Sequence, residues 1–200
     1  MNLDIREMLG GDIARLRYIR RFSTCRTVGT ETVAEHTAYV VLYCLFISEW
    51  CGSQPEGKFI DVSKLLRRAA LHDIEESRSG DFPRSFKYST KELKEAVDKA
   101  AALEAEKVLE GITDDPETVA DFLEEWRSAK DDTVEGCILE FADFLSALAF
   151  VVEEKKVGNF CLSQHTGTFT KYLEKFNESR YAFLSPLLRQ ARQLVVEVLA

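Results

Sequence analysis

Apolar residues recur at helical spacing along almost the whole chain, and this periodicity limits the possible folds more than any other feature of the sequence. Only 10 glycines and 4 prolines interrupt the 200 residues. No β-hairpin signal, internal repeat or low-complexity segment stands out. Hydrophobic residues make up 46% of the chain, which is enough to bury a sizeable core. We therefore expect an all-α fold in a single domain that covers residues 1–200.

Capping signals predict where the helices begin and end. A capping box, TVAE, starts at Thr32 and predicts a helix that runs to about Trp50. Asp61 or Ser63 can cap the next helix, which would carry His72. Further helices are expected over residues 91–110, 116–130, 133–155 and 180–199, with Gly111 and Gly158 as C-terminal stops.

Charge and cysteine content exclude several classes of protein. The formal net charge of -8 disfavours binding to a nucleic-acid polymer, although a locally basic pocket could still hold a small phosphorylated substrate. The N-terminal segment lacks the apolar core of a signal peptide, and the longest apolar stretch, residues 38–47, is too short to cross a membrane. Five cysteines without a CxxC spacing favour reduced thiols. These features predict a cytoplasmic protein.

The histidines and two aspartates form the chemically distinctive pattern of the chain. His36 and His72 lie on predicted helices, Asp73 follows His72 directly, and His165 is expected in a surface loop. A lone His-Asp pair is weak evidence, since either histidine could simply pack in the core. However, Asp143 interrupts a strongly apolar helix, CILEFADFLSALAFVV, where a carboxylate is unfavourable unless it is paired or binds a cation. The sequence therefore offers His36, His72, Asp73 and Asp143 as candidate metal ligands.

This mixed nitrogen and oxygen ligand set suits Mn²⁺, Co²⁺, Fe²⁺, Ni²⁺ or Zn²⁺ and does not select among them. A metal ion with open coordination positions can activate water and polarise a phosphoryl oxygen. The most basic stretch of the chain comes just before His36. Most of its arginines would form a solvated face, but one or two could bind a substrate phosphate through the planar guanidinium. The stretch contains Arg15, Arg17, Arg20, Arg21 and Arg26.

The order H…HD…D in this chain resembles the signature of the HD-domain phosphohydrolases. Three longer segments are more specific. RRFSTCRTVGTETVAEH, HDIEESRSGDFPRSFKY and EFADFLSAL resemble successive motifs of the bacterial HD-family 5′-deoxynucleotidases, which are called YfbR-like. The motif-bearing core would cover about residues 20–155, and C-terminal helices would follow over residues 160–200.

This resemblance implies a single HD-domain helical bundle and a cytosolic enzyme, commonly a homodimer. It implies release of phosphate from 2′-deoxynucleoside 5′-monophosphates. It also implies one divalent metal ion per subunit on the four ligands named above. Co²⁺ or Mn²⁺ is favoured, and Zn²⁺, Ni²⁺, Fe²⁺ or Mg²⁺ is possible.

The resemblance assigns roles to five further residues by their positions in the motifs. Arg21 would contact the substrate phosphate, and Phe22 would lie beside the sugar at a position where relatives often carry tryptophan. Glu76 would orient or deprotonate the attacking water. Asp81 would assist the leaving 5′ oxygen or hold the substrate. Lys87 falls at a matching lysine and is a candidate substrate-binding residue.

Two other functions stay open at this point. A related HD enzyme that removes triphosphate or pyrophosphate, or cleaves another phosphoester, would share the metal site. Arg78, Arg84 and Lys87 could lengthen its phosphate pocket, although such residues are more often surface charges. A non-catalytic nucleotide sensor is the second alternative. The presence of every expected ligand together with Glu76 and Asp81 argues against the sensor.

Overall fold

The computed structural model describes residues 1–55, 57–162 and 166–199. Helices account for most of these residues, and the described part of the chain contains no extended strand. Two isolated antiparallel bridges join Leu3 to Thr113 and Arg20 to Thr32. The prediction of an all-α fold is confirmed. His165, which was expected in a surface loop, lies outside the described residues.

The helices follow one another with short connections. In the first half of the chain they are α1 (Ile5–Gly10), α2 (Asp12–Arg15), α3 (Val33–Gly52), α4 (Val62–Leu71), α5 (Glu76–Ser79) and α6 (Arg84–Lys87). In the second half they are α7 (Lys91–Ile112), α8 (Pro116–Arg127), α9 (Val134–Lys156), α10 (Thr166–Lys175) and α11 (Ser185–Leu199), with a short 3₁₀ helix over Ser179–Leu184 before α11. Among the described residues, no helix combines the length and apolarity that a membrane crossing requires.

The chain divides into two compact units, which are interleaved in sequence. The first unit comprises residues 1–24, 31–38 and 67–129. Its aliphatic core is formed mainly by α7 and α8, together with Ile74 from the turn after α4. The buried members of this core are Ile74, Ala105, Val108, Leu109, Val119 and Leu123.

The second unit comprises residues 25–30, 39–66 and 130–200. Its core is aromatic and is centred on Phe144, whose ring lies 5.5 Å from Phe176 and 6.4 Å from Phe141. Tyr181 meets Phe176 edge to face at 4.9 Å, and its side chain is fully buried. Such edge-to-face pairs add to the stability that burial of the rings provides.

Side-chain caps define several helix ends, as the sequence predicted. The Thr32 backbone N–H donates to Glu35 Oε2 at 2.8 Å, and the Glu35 N–H donates back to Thr32 Oγ1 at 3.2 Å. This reciprocal capping box starts α3 at Val33. Asp61 Oδ1 accepts the Lys64 N–H at 2.9 Å and caps α4. The first histidine of the motif therefore lies on a helix whose start is well defined.

Several predicted helix boundaries differ from the structure. The helix expected over residues 116–130 ends at Arg127, and the last helix begins at Ser185, after the 3₁₀ helix, instead of at about residue 180. Two further differences have a visible cause. Residues 72–75 form a turn rather than a continuation of α4. In a continuous helix the Ala69 carbonyl would accept the Asp73 N–H, but here it is 2.8 Å from His72 Nδ1, which competes for the same oxygen. The second error concerns Gly111, which does not end α7. The helix continues to Ile112, whose carbonyl accepts the Asp4 N–H at 2.8 Å.

Candidate metal and phosphate site

Three of the four predicted metal ligands come together in the first unit. His36 lies in the first turn of α3, and His72 and Asp73 lie in the turn between α4 and α5. The Nε2 atoms of His36 and His72 are 3.6 Å and 3.1 Å from Asp73 Oδ2. Each residue offers one ligand atom, and these three atoms lie within 4.8 Å of one another. That spacing suits a single ion with metal-ligand bonds of about 2 Å.

The His72 ring is oriented as a metal ligand requires. Its Nδ1 is 2.8 Å from the Ala69 carbonyl oxygen, which can only accept a hydrogen bond. The ring proton of neutral His72 is therefore on Nδ1, and the lone pair of Nε2 faces the Asp73 carboxylate. His72 and Asp73 thus fit a divalent cation without rearrangement.

The His36 ring is held differently. Its Nδ1 is 2.6 Å from Arg21 Nη1, and a guanidinium N–H can only donate. Nδ1 therefore accepts in this arrangement, and the ring proton of a neutral His36 is on Nε2. Coordination through Nε2 requires the other tautomer, with the proton on Nδ1, so His36 fits the metal once Arg21 turns away from its ring.

Asp143, the fourth predicted ligand, belongs to the second unit, where it lies on α9. Its Oδ2 is 2.6 Å from Lys130 Nζ, so the carboxylate is ion-paired within that unit. Burial raises the pKa of the neighbouring Cys44 thiol far above its usual range, and the charge of Asp143 adds to this effect. The role of Asp143 as a ligand stays a prediction.

Two adjacent carboxyl groups follow the metal cluster. The Oε2 atom of Glu76 is buried and makes no hydrogen bond to any described residue. Burial raises the pKa of Glu76 well above its usual range, and the charges of Asp73 and Asp81 raise it further, against the opposing effect of Arg21. Glu76 and Asp81 therefore act on each other electrostatically, and both belong to the same acidic group as Asp73.

Glu75, the other member of this pair, is held by an indole. Trp126 Nε1 donates to Glu75 Oε2 at 2.7 Å. Burial raises the pKa of Glu75 to about 7, and the charge of Asp73 contributes to the shift. The family resemblance assigned a role to Glu76 but not to its neighbour Glu75.

Arg21 lies between a carboxylate and the first histidine. Its Nη1 is 2.7 Å from Glu31 Oε2 and 2.6 Å from His36 Nδ1. The guanidinium also lies 5.4 Å from the centre of the Phe22 ring, within the range of a cation-π contact. Phe22 has a φ of 54°, in the left-handed region that bulky residues rarely adopt. The two predicted substrate-binding residues thus sit in a strained and tightly held segment.

Lys87, on α6, is the remaining predicted substrate-binding residue. Its Nζ is 3.1 Å from Asp98 Oδ1 on α7. Lys87 and Glu76 both line a cavity of about 290 Å³, whose α7 wall is formed by Val97, by alanines and by Glu104. The structure therefore places Lys87 at the same cavity as one predicted catalytic residue.

Sequence analysis missed three residues around the predicted site. Glu31 is buried against Arg21, Trp126 donates to Glu75, and Lys130 pairs with Asp143. Their types alone carry no signal, since an acid, a tryptophan and a lysine are common on helical surfaces and in cores. Only Glu31 lay within a quoted motif, and its distance from the first histidine gave no reason to expect burial.

Solved structures of other proteins share this architecture. A Pyrococcus horikoshii protein is 23% identical, with a TM-score of 0.76 over 96% of this chain and 99% of the other. An HD-domain phosphohydrolase from Listeria innocua is 21% identical, with a TM-score of 0.67 over 96% of this chain and 97% of the other. The chain has the fold of an HD-domain protein, and the His36–His72–Asp73 cluster is the part of the HD signature that lies within the first unit.

Sequence comparison shows to which family of HD-domain proteins the chain belongs. The family described as 5′-deoxynucleotidase YfbR-like matches residues 10–190. A 5′-deoxynucleotidase from Shewanella oneidensis is 30% identical over 173 residues, 84% of this chain and 82% of the relative. A 5′-deoxynucleotidase from Vibrio parahaemolyticus is 28% identical over 174 residues, which cover 84% of this chain and 87% of the relative. The chain belongs to the YfbR-like 5′-deoxynucleotidase family and is a metal-dependent nucleotide phosphohydrolase, which confirms the expected enzyme class.

Proposed function

We propose that the enzyme releases phosphate from 2′-deoxynucleoside 5′-monophosphates with one divalent metal ion per subunit, Co²⁺ or Mn²⁺. The buried His36–His72–Asp73 cluster carries this proposal, because it supplies two imidazoles and a carboxylate at the spacing of one ion. Asp143 would be the fourth ligand. The 5′-deoxynucleotidases of Shewanella and Vibrio support the choice of substrate.

Glu76 would accept the proton of the attacking water. A bound metal ion supplies charge stabilisation for the phosphoryl oxygens and makes a nearby water more acidic. A carboxyl group with a raised pKa is a suitable proton acceptor at near-neutral pH, and the buried Oε2 atom of Glu76 makes no hydrogen bond to any described residue. Asp81 would assist the leaving 5′ oxygen or hold the substrate.

Arg21 would bind the transferred phosphate through its guanidinium, and Phe22 would lie against the deoxyribose. Support comes from the position of Arg21, whose Nη1 lies 2.6 Å from His36 Nδ1 and therefore next to a predicted metal ligand. Lys87 would contact the substrate from the cavity that it shares with Glu76.

A triphosphate or pyrophosphate substrate is less well supported. Such a substrate needs additional basic groups, and the two arginines considered for this purpose are engaged elsewhere. Arg78 pairs with Asp12 and Glu104 at 2.7 Å and 2.5 Å, and Arg84 stacks over Tyr88 at 4.5 Å. The described contacts therefore favour a monophosphate.

We further propose that the enzyme is a cytoplasmic homodimer. Tyr39, Leu42 and Phe46 recur on one face of α3 and remain 50%, 46% and 66% exposed. An apolar stripe of this kind is typical of a surface covered by a second copy of the chain. Light scattering on the purified protein measures its mass, and a monomer at micromolar concentration would contradict this part of the proposal.

The decisive experiment is a product analysis with restored metal. We would strip the protein of metal, add Mn²⁺, Co²⁺, Zn²⁺ or Mg²⁺, and supply deoxynucleoside and ribonucleoside mono- and triphosphates. We expect phosphate release from deoxynucleoside monophosphates, reduced at least about 100-fold in Asp73→Ala. Asp121→Ala removes an exposed acid of α8 and serves as the control. Intact triphosphate as product, or no turnover with any metal, would contradict the proposal.

A further inference from the structure

We infer that Glu31 is a positioning residue for the substrate phosphate and acts by holding the guanidinium of Arg21. This inference rests on the proposed role of Arg21 in phosphate binding. Glu31 is 7% exposed, and its Oε2 accepts from Arg21 Nη1 at 2.7 Å. The side chain of Arg21 is itself only 14% exposed, so the ion pair is largely removed from solvent.

The ion pair is not needed to hold the two backbone segments together. The Arg21 N–H already donates to the Glu31 carbonyl at 2.9 Å, and the Val33 N–H donates to the Ile19 carbonyl at 3.0 Å. An isolated bridge also joins Arg20 to Thr32. With the backbone fixed in this way, the Glu31 carboxylate determines where the guanidinium lies rather than where the chain runs.

A buried Arg-Glu pair is a poor source of stability. Removing both charges from water is unfavourable, and well-packed apolar residues of similar size often stabilise a protein as much or more. A bidentate anion site has a different requirement, since the planar guanidinium must keep one orientation to bind two phosphate oxygens. A carboxylate that accepts a hydrogen bond from Nη1 restricts the positions and orientations that the guanidinium can adopt.

The Glu31 contact is also independent of the state of His36. Arg21 Nη1 can donate to His36 Nδ1 only while that nitrogen accepts, which conflicts with metal coordination through Nε2. Glu31 accepts from Arg21 with either tautomer of the ring. Glu31 would therefore still hold Nη1 of Arg21 after the guanidinium has turned away from His36 towards a phosphate.

The test compares Glu31→Gln with Glu35→Gln, which makes the same chemical change four residues later. Glu35 is exposed, and glutamine preserves a capping box. With metal-loaded protein, calorimetry would give the Kd of inorganic phosphate, and kinetics would give KM and kcat for a deoxynucleoside monophosphate. We expect Glu31→Gln to raise the phosphate Kd and the KM about tenfold, with metal affinity unchanged. Glu31→Asp should restore part of the loss, and Glu35→Gln should match the wild type.

A cycle with Arg21→Ala shows whether Glu31 acts through the arginine. If it does, Glu31→Gln changes the phosphate Kd little once Arg21 is absent. An equal effect in both backgrounds, or a loss of thermal stability with unchanged phosphate affinity, would overturn the inference. So would an Arg21→Ala variant with normal phosphate affinity. Wild-type protein that binds phosphate in this Glu31-dependent way but hydrolyses no nucleotide would contradict the proposed function alone.

Discussion

Two buried carboxyl groups, Glu154 in the second unit and Glu76 in the first, are held in opposite ways. In the second unit, Glu154 accepts the Val28 N–H at 2.8 Å and the Gly29 N–H at 2.6 Å. Burial would raise its pKa, but these hydrogen bonds and one from Asn159 lower the pKa overall. In the first unit, the buried Oε2 of Glu76 has no hydrogen bond from any described residue, and its pKa is raised well above the usual range.

The contrast separates a structural acid, Glu154, from the proposed proton acceptor, Glu76. A buried carboxylate that receives several hydrogen bonds stays ionised and holds the chain around it. One that lacks them lies close to protonation and can exchange a proton with a ligand. The burial of an acid is therefore a weak guide to its role, and the hydrogen bonds that its carboxylate accepts have to be considered as well.

The largest expected effect comes from Glu76→Gln. We expect kcat to fall by about 10²–10⁴-fold, because the amide cannot accept the proton of the attacking water. The melting temperature should stay the same or rise, since a poorly solvated carboxyl group is replaced by a neutral one.

The control is Glu140→Gln in the second unit, where Tyr181 and Lys175 donate to the carboxylate. That variant should lower the melting temperature and leave kcat unchanged. If both variants lost stability and neither lost activity, the proposed distinction between Glu76 and the hydrogen-bonded carboxylates of the second unit would fail.

The next effect concerns pH. The pKa of Glu75 is about 7 in the folded protein against 4.5 in the unfolded chain, so the folded state binds the proton more tightly. The stability that this provides is complete below about pH 4.5 and is lost as the pH rises through 7, by up to about 3 kcal/mol.

Denaturant unfolding of chelator-treated protein between pH 4.5 and 8 would measure this loss. The difference in unfolding free energy between wild type and Glu75→Gln should fall with rising pH over this range. A difference that is constant with pH would contradict the pKa shift.

A smaller effect is expected at Tyr181, whose hydroxyl donates to Glu140 in the aromatic core of the second unit. Tyr181→Phe keeps the ring and its contact with Phe176 but removes one donor from the carboxylate. We expect a loss of about 2 kcal/mol in the free energy of unfolding with normal kcat, measured by urea titration and steady-state kinetics. A clear fall in kcat in Tyr181→Phe would contradict this expectation, because it would show that the hydrogen bond between Tyr181 and Glu140 also matters for catalysis.

Helix content, and the residues that form the metal cluster, could be predicted from the sequence. Helical periodicity is a local signal, and the capping box at Thr32 placed the start of α3 correctly. The distinctive order of His36, His72 and Asp73 was enough to select them before their distances were known. Side-chain type and order carry this information because few residue types bind metals.

What could not be predicted depends on contacts outside the local pattern. The stretch LLRRAALHDIEE is helical by periodicity throughout, yet the His72 side chain takes the Ala69 carbonyl and the chain turns there. The burial of Glu31 follows from the pairing of residues 19–21 with residues 31–33. The indole bond to Glu75 joins positions 51 residues apart. None of these contacts produces a periodic pattern of residues from which it could be predicted.

The left-handed backbone of Phe22 also restricts which substitutions this position can accept at little expense. At a φ of 54°, side chains that are unbranched at Cβ meet similar steric crowding, β-branched side chains meet more, and glycine, asparagine and aspartate are accommodated most easily. Exchange of phenylalanine for tryptophan is therefore neutral for the backbone and alters only the ring. Such an exchange changes the size and shape of the ring against an unchanged main-chain conformation, so the proposed contact with the sugar can be varied without disturbing the segment that carries Arg21.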